Sequence, residues 1–322
     1  SAYNQNSTYL TGVRHVEGED LKTVYISANA LAPIGTSNMT SIAAVYYGSI
    51  DTLDGEWFTF QMPSSTNNTV TGTYFYGPNS GESTGTIQAA GAYSNVQNGI
   101  NELGLLYQGG LDGSGTYTTL HPQELDSQHT VFQTAAHSTM GGLVVGNFYT
   151  FIVASRAFIY DISANQYDEL HYPNADSISL YGIWHDSGDD YTLTGGINGL
   201  ELRSDSKDYS FVCKWNSTLR NASNWMFFEH SANANWTHFE GIYGNNGTIS
   251  DSAIGPYAYT YVSDWQLTGH TDTWYSSFVV MRNYSGDSDS VGEDGSNGVN
   301  ATELVVYSPA IYPPSPLMRL QL

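Results

Sequence analysis

Apolar and polar positions alternate along short runs that stop at Gly, Asn, Asp or Pro, the pattern of β-strands joined by tight turns. The pattern is clearest in residues 156–196. Ala157-Phe158-Ile159-Tyr160 is a first strand and Tyr167-Asp168-Glu169-Leu170 a second. Ser179-Leu180-Tyr181-Gly182-Ile183 is a third and Tyr191-Thr192-Leu193-Thr194 a fourth. All four are rich in β-branched or aromatic residues. They predict one antiparallel sheet. No stretch combines helical periodicity with capping residues.

The unit recurs. Runs like Ala157–Tyr160 begin at Ala43, Gly104, Ser210 and Ser277, so successive starts lie 61, 53, 53 and 67 residues apart. Each is followed by an aromatic or apolar second strand (Trp57, Tyr117, Trp225 and Leu304 begin them), and a proline follows most of these, at Pro63, Pro122, Pro173 and Pro309. Third strands carry a glycine at Gly72, Gly142, Gly182 and Gly241. The last unit has only two strands before the chain ends. Tyr9–His15 and Val24–Ser27 have the form of the missing third and fourth strands. This predicts an all-β, five-bladed β-propeller of four-stranded antiparallel blades, its ring closed by pairing of N- and C-terminal strands. The blades would be 41–94, 103–154, 156–197, 209–263, and 276–308 completed by 7–28, within a single domain of 322 residues.

Residues 156–197 also resemble the extracellular HAF-type repeat. The resemblance rests on the Phe158-Ile159-Tyr160-Asp161 strand, Pro173-Asn174-Ala175 and Gly182-Ile183. It implies a secreted β-propeller and no particular activity.

Charge narrows the partners. Lys plus Arg total 9 against 31 Asp plus Glu, a net charge of −22. That argues against nucleic acid and anionic membranes, whose binding draws on Lys and Arg. No apolar run reaches the length of a membrane-spanning helix. Cys213 is the only cysteine, so neither a disulfide nor a Cys-based zinc site forms within the chain. Sequons stand at Asn6, Asn38, Asn67, Asn216, Asn221, Asn235, Asn246, Asn283 and Asn300, which favours a secreted, extracellular glycoprotein. With no initiator Met and no leader, the first residue reads as a mature terminus.

Chemistry is sought where the repeated frame turns polar. Aligned on the third-strand glycine, Leu10, Val70, Met140, Leu180 and Phe239 read as core, as does Val13. His15 and His185 occupy equivalent places, Arg14 lies beside His15, and Glu240 is offset on another blade. His15, His185, Glu240 and Arg14 are the candidate acid, base and charge-stabilising groups of one site at the channel mouth, suited to cleaving a sugar chain. Trp184 and Tyr243 share a position and would present rings to a sugar together. Tyr181, Asp186 and His238 complete the candidate binding set. The competing reading makes these residues solvated strand ends or hydrogen-bonded turn residues. No cofactor is called for. The acidic loop Gly286–Gly295 is a candidate for Ca²⁺, although it lacks the spacing of a helix-flanked calcium loop. The expectation is a monomeric, secreted polysaccharide hydrolase or lyase. A lectin with one sugar site per blade, or a wall or matrix protein, is the alternative. A lectin would repeat its polar ligands in each unit, whereas here only the apolar frame repeats.

Overall fold

The computed structural model describes the chain except residues 1–7, 21, 35–37, 53, 66–68, 82, 84, 96–101, 153, 200–206, 230–232, 245–249, 252–254, 257–258, 268–274, 284–301 and 308–322. Within strands, the side chains of 31–34, 38–39, 250–260, 267, 275–283 and 302–307 are also outside the description. Apart from one 3-10 turn at Gln123–Leu125, the regular elements among the described residues are all strands.

The strands form five four-stranded antiparallel meanders. The first contains β1 (Thr8–His15), β2 (Thr23–Ile34), β3 (Asn38–Ser49) and β4 (Glu56–Phe60). The second contains β5 (Val70–Ser80), β6 (Thr86–Asn95), β7 (Glu102–Gly110) and β8 (Thr116–Leu120). The third contains β9 (Val131–Met140), β10 (Leu143–Thr150), β11 (Arg156–Asp161) and β12 (Gln166–Leu170). The fourth contains β13 (Ser177–Ser187), β14 (Asp190–Asn198), β15 (Tyr209–Asn216) and β16 (Asn221–Phe228). The fifth begins with β17 (Ala234–Gly244), is interrupted by the hairpin β18 (Ser250–Asp251) and β19 (Gly255–Pro256), and continues with β20 (Tyr259–Leu267), β21 (Tyr275–Asn283) and β22 (Thr302–Tyr307).

Most strand positions match the repeat, but Gly142, expected on a third strand, lies in the turn between β9 and β10, and the phase is shifted by two strands. β11 and β12 close the third sheet, and β13 and β14 open the fourth. Among the described residues β1 pairs with β2 and β22 with β21, and the expected pairing between terminal strands is not among the ladders. Only residues 35–37 separate β2 from β3. So short a connection closes a local hairpin at small entropic cost and draws β1 and β2 into a sheet with β3 and β4. Single parallel bridges, Ser41 with Gly72 and Glu102 with Gln133, join the first three meanders into an open, mixed twelve-stranded network rather than a closed ring. The chain divides into two compact units, 1–183 and 184–322, with the division inside β13.

Apolar clusters lie between successive sheets. Val45, Phe60, Phe75, Leu105 and Tyr107 interleave the first and second. Leu106, Val131, Phe148 and Phe158 do so for the second and third, and Val212, Phe228, Phe239, Ile242 and Tyr261 for the fourth and fifth. The tyrosine that ends three of the repeated runs has a physical role. Tyr46 faces Trp57 across the ladder at 5.5 Å, Tyr107 faces Tyr117 at 4.8 Å, and Tyr160 faces Tyr167 at 4.7 Å. Tyr46 Oη donates to Ser49 O (2.9 Å) and accepts from Gly55 N–H (2.9 Å). Tyr107 Oη repeats this with Gly110 O (2.5 Å) and Gly115 N–H (3.0 Å). Each hydroxyl clasps its hairpin.

Buried amides on second strands reach the next sheet. Asn29 holds both backbone polar groups of Phe75 (2.9 and 3.2 Å), Asn147 Oδ1 accepts from Leu180 N–H (2.7 Å), and Gln88 Oε1 accepts from Thr139 Oγ1 (3.3 Å). The expected core places of Leu10 and Val13 are not buried: they are 67% and 59% exposed, while Arg14 is buried. β1 is an edge strand whose register slips between Leu10 and Gly12, and such a slip exchanges the two faces.

Candidate active site

First strands carry a β-bulge at matching points. The extra residue is Thr11 in β1, Tyr76 in β5, His137 in β9 and Glu240 in β17. A bulge re-aims one side chain without disturbing the ladder on either side. Thr11 Oγ1 donates to Phe75 O at 2.6 Å, a structural use. The other three carry larger or ionisable groups.

Among the described residues of 184–322, Glu240 is the carboxyl with a large upward shift. Burial, and then the charge of Asp264, push its pKa from 4.5 up to about 8. Asp264 lies on β20, opposite His238 in the ladder. In the sequence, Thr248-Ile249-Ser250-Asp251 also has the form of that unit's fourth strand, which hides Asp264. The alternation Tyr259, Tyr261, Ser263, Trp265 marks the true partner strand.

Trp184 of β13 and Tyr243 of β17 meet with ring centroids 5.1 Å apart at 58°, so their shared repeat position does bring them together. Gly244 makes room for the indole, since a Cβ there would collide with Trp184. His238 is buried against Gly196, 3.7 Å from the Trp236 ring, and burial pushes its pKa down to about 3. It is a neutral core side chain near pH 7. Its Nε2 lies 3.9 Å from Asp208 Oδ2; burial raises the Asp208 pKa, which an Asn198 amide hydrogen bond partly offsets.

The remaining candidates serve their hairpins. His185 Nε2 is 2.8 Å from Gly188 O, and its ring packs on Tyr191 at 4.7 Å. His15 Nε2 is 3.3 Å from Glu19 O. The two histidines are thus equivalent, each tied to the hairpin that follows its strand. Asp186 accepts from Thr192 Oγ1 (2.8 Å) and Lys214 Nζ (3.0 Å). Tyr181 meets His137 edge-on at 4.7 Å within residues 1–183, where Arg14 and His15 also lie. Among the described residues no group of three or more His, Cys, Asp or Glu is arranged to hold a metal. Gly286–Gly295, the calcium candidate, lies outside them. Cys213 is buried, which raises its thiol pKa, so it is no nucleophile near neutrality.

No protein-family model matches the chain, and no curated protein is significantly similar to it. Solved structures share it only loosely. Trypanosoma rangeli sialidase in complex with sialic acid is 11% identical at a TM-score of 0.43, covering 94% of this chain and 46% of its own. The chain therefore spans about half the length of that protein. A subtype N10 neuraminidase-like protein of A/little yellow-shouldered bat is 8% identical at 0.41, covering 87% of this chain and 79% of its own.

Proposed function

We propose that the protein is a secreted carbohydrate-active enzyme, a polysaccharide hydrolase or lyase, with its acid/base site in residues 184–322. The observation that carries this reading is Glu240. It sits on a bulge, half-buried, with the carboxylate of Asp264 as its charged neighbour. Two carboxyls that share a desolvated site do not both ionise readily, so one keeps its proton near neutral pH and is poised as a general acid. Asp264, on the adjacent strand, supplies the second carboxyl. Acid and base carboxyls of this kind cleave glycosidic bonds. Trp184 and Tyr243 offer ring surface for the pyranose face. His185 and His15 act in this reading through the hairpins they hold. Of the sequon residues whose side chains are described, Asn221 and Asn235 are exposed and are the expected glycan acceptors, while the Asn216 amide donates to Asp190; the side chains of Asn6, Asn38, Asn67, Asn246, Asn283 and Asn300 lie outside the description.

The test is a screen of acidic and neutral plant and fungal polysaccharides. New reducing ends identify a hydrolase, and new ultraviolet absorbance identifies a lyase. Glu240→Gln is expected to abolish the turnover found. Equal turnover in that variant, or none by the native chain on any polymer, overturns the reading.

A further inference from the structure

Residues 1–183 hold a second set of re-aimed side chains. The bulge residues Tyr76 and His137 stack with centroids 5.2 Å apart at 27°. Tyr181, which precedes Gly182 as Glu240 precedes Gly241, meets His137 at 4.7 Å and 81°. Tyr76 Oη donates to Glu102 Oε1 (3.3 Å), and Gln133 Nε2 donates to Glu102 Oε2 (3.0 Å). All five residues are half-buried, so part of each is open to solvent.

The hydrogen-bonding capacity left over indicates the ligand. Neither ring nitrogen of His137 has a partner among the described residues, and burial holds its pKa down to about 4. The neutral ring offers one donor and one acceptor. Burial raises the Glu102 pKa, and hydrogen bonds from Gln133 and Tyr76 only partly offset this. Glu102 has no basic partner among the described residues, and its oxygens can accept further bonds. An ammonium ion would use only the acceptors and an anion only the donor. A hydroxyl group uses both, and flat rings pack against the C–H faces of a sugar.

We propose that Tyr76, His137, Tyr181 and Glu102 form a second binding site, for a neutral sugar. It shares only its class of ligand with the Glu240 reading. The test uses the full chain carrying Glu240→Gln, so that ligand is not consumed. Xylotetraose, cellotetraose, mannotetraose and galactotetraose are titrated by calorimetry, with the His137 imidazole followed by NMR. At least one sugar is expected to bind saturably and shift that signal. His137→Phe keeps the ring and should weaken binding roughly tenfold without lowering Tm. Tyr181→Ala should weaken it as well, and Trp57→Ala, at an exposed ring of β4, should not.

Binding by none of the four sugars, unchanged binding by His137→Phe, or displacement by tetramethylammonium overturns the proposal. A His137 response in a chain without turnover sinks only the enzyme reading. Turnover without a His137 response sinks only the second site.

Discussion

Two groups of carboxyls show how charge is used in this acidic chain. In the third sheet, Arg156 binds Glu169 through Nε and Nη2 (2.8 and 2.5 Å) and Asp126 through Nη1 (2.8 Å). It also donates to Leu125 O (3.1 Å) and lies 4.7 Å from the Phe148 ring centroid. Burial would raise the Asp126 pKa, but hydrogen bonds from His129 and the backbone N–H groups of Gln128 and His129 outweigh it and hold the carboxyl below its usual range. That group is a clamp, tying the 3-10 turn to β11 and β12. In the fifth sheet, Glu240 has Asp264 for its charged neighbour, and its pKa moves the opposite way. A carboxyl given a cation keeps its charge, and one buried beside another carboxyl holds its proton more tightly.

The largest expected effect separates those roles by activity. Glu240→Gln should lower kcat by about 10² to 10⁴, whereas Glu169→Gln should lower Tm and leave kcat within a few fold. Equal kcat losses would erase the contrast.

Stability against pH sharpens it next. Folding raises the Glu240 pKa from 4.5 to about 8, so the folded state binds this proton more tightly. The contribution is complete below pH 4.5 and is lost as pH rises to 8. Solvent reaches this half-buried group, so the loss is on the order of 3 kcal/mol. Chemical denaturation at pH 5 and pH 9 should show it, and Glu240→Gln should flatten it. Asp126, with a lowered pKa, contributes stability that is lost on acidification instead. Arg156→Met should cost about 2 kcal/mol at pH 7 by leaving two carboxyls without their cation. Arg156→Lys should recover only part, since an ammonium cannot reproduce the bidentate fork.

Much of the fold was legible in the sequence. Alternation and turn residues located strands such as Ala157–Tyr160 and Tyr167–Leu170, because a half-buried strand writes its faces into every second residue. The phase of the sheets was not legible. A repeat has no marked beginning, and β4 and β5 look alike as successive strands although they belong to different meanders. Of the site, the contact between Trp184 and Tyr243 followed from their shared position. Asp264 and the bulges at Tyr76 and His137 did not, because a bulge adds one residue to the ladder and breaks the alternation that sequence reading relies on. Asn29 and Asn147 look like ordinary turn formers in sequence, and only the packing of successive sheets shows them clamping buried backbone groups.

The smallest expected effects belong to neutral groups whose partners are complete. Asn29→Ala strands the buried N–H and C=O of Phe75 and should cost about 2 kcal/mol. Tyr107→Phe is gentler. It keeps the ring between Phe60 and Tyr117 and removes only the hydroxyl shared by Gly110 O and Gly115 N–H, both close enough to the surface for water to replace it. The cost should be about 1 kcal/mol in denaturant unfolding, with no change between pH 5 and pH 9. A pH-dependent loss in Tyr107→Phe would mean that charge reaches the neutral scaffold as well, and the division between charged clamp, carboxyl pair and neutral clasp would have to be redrawn.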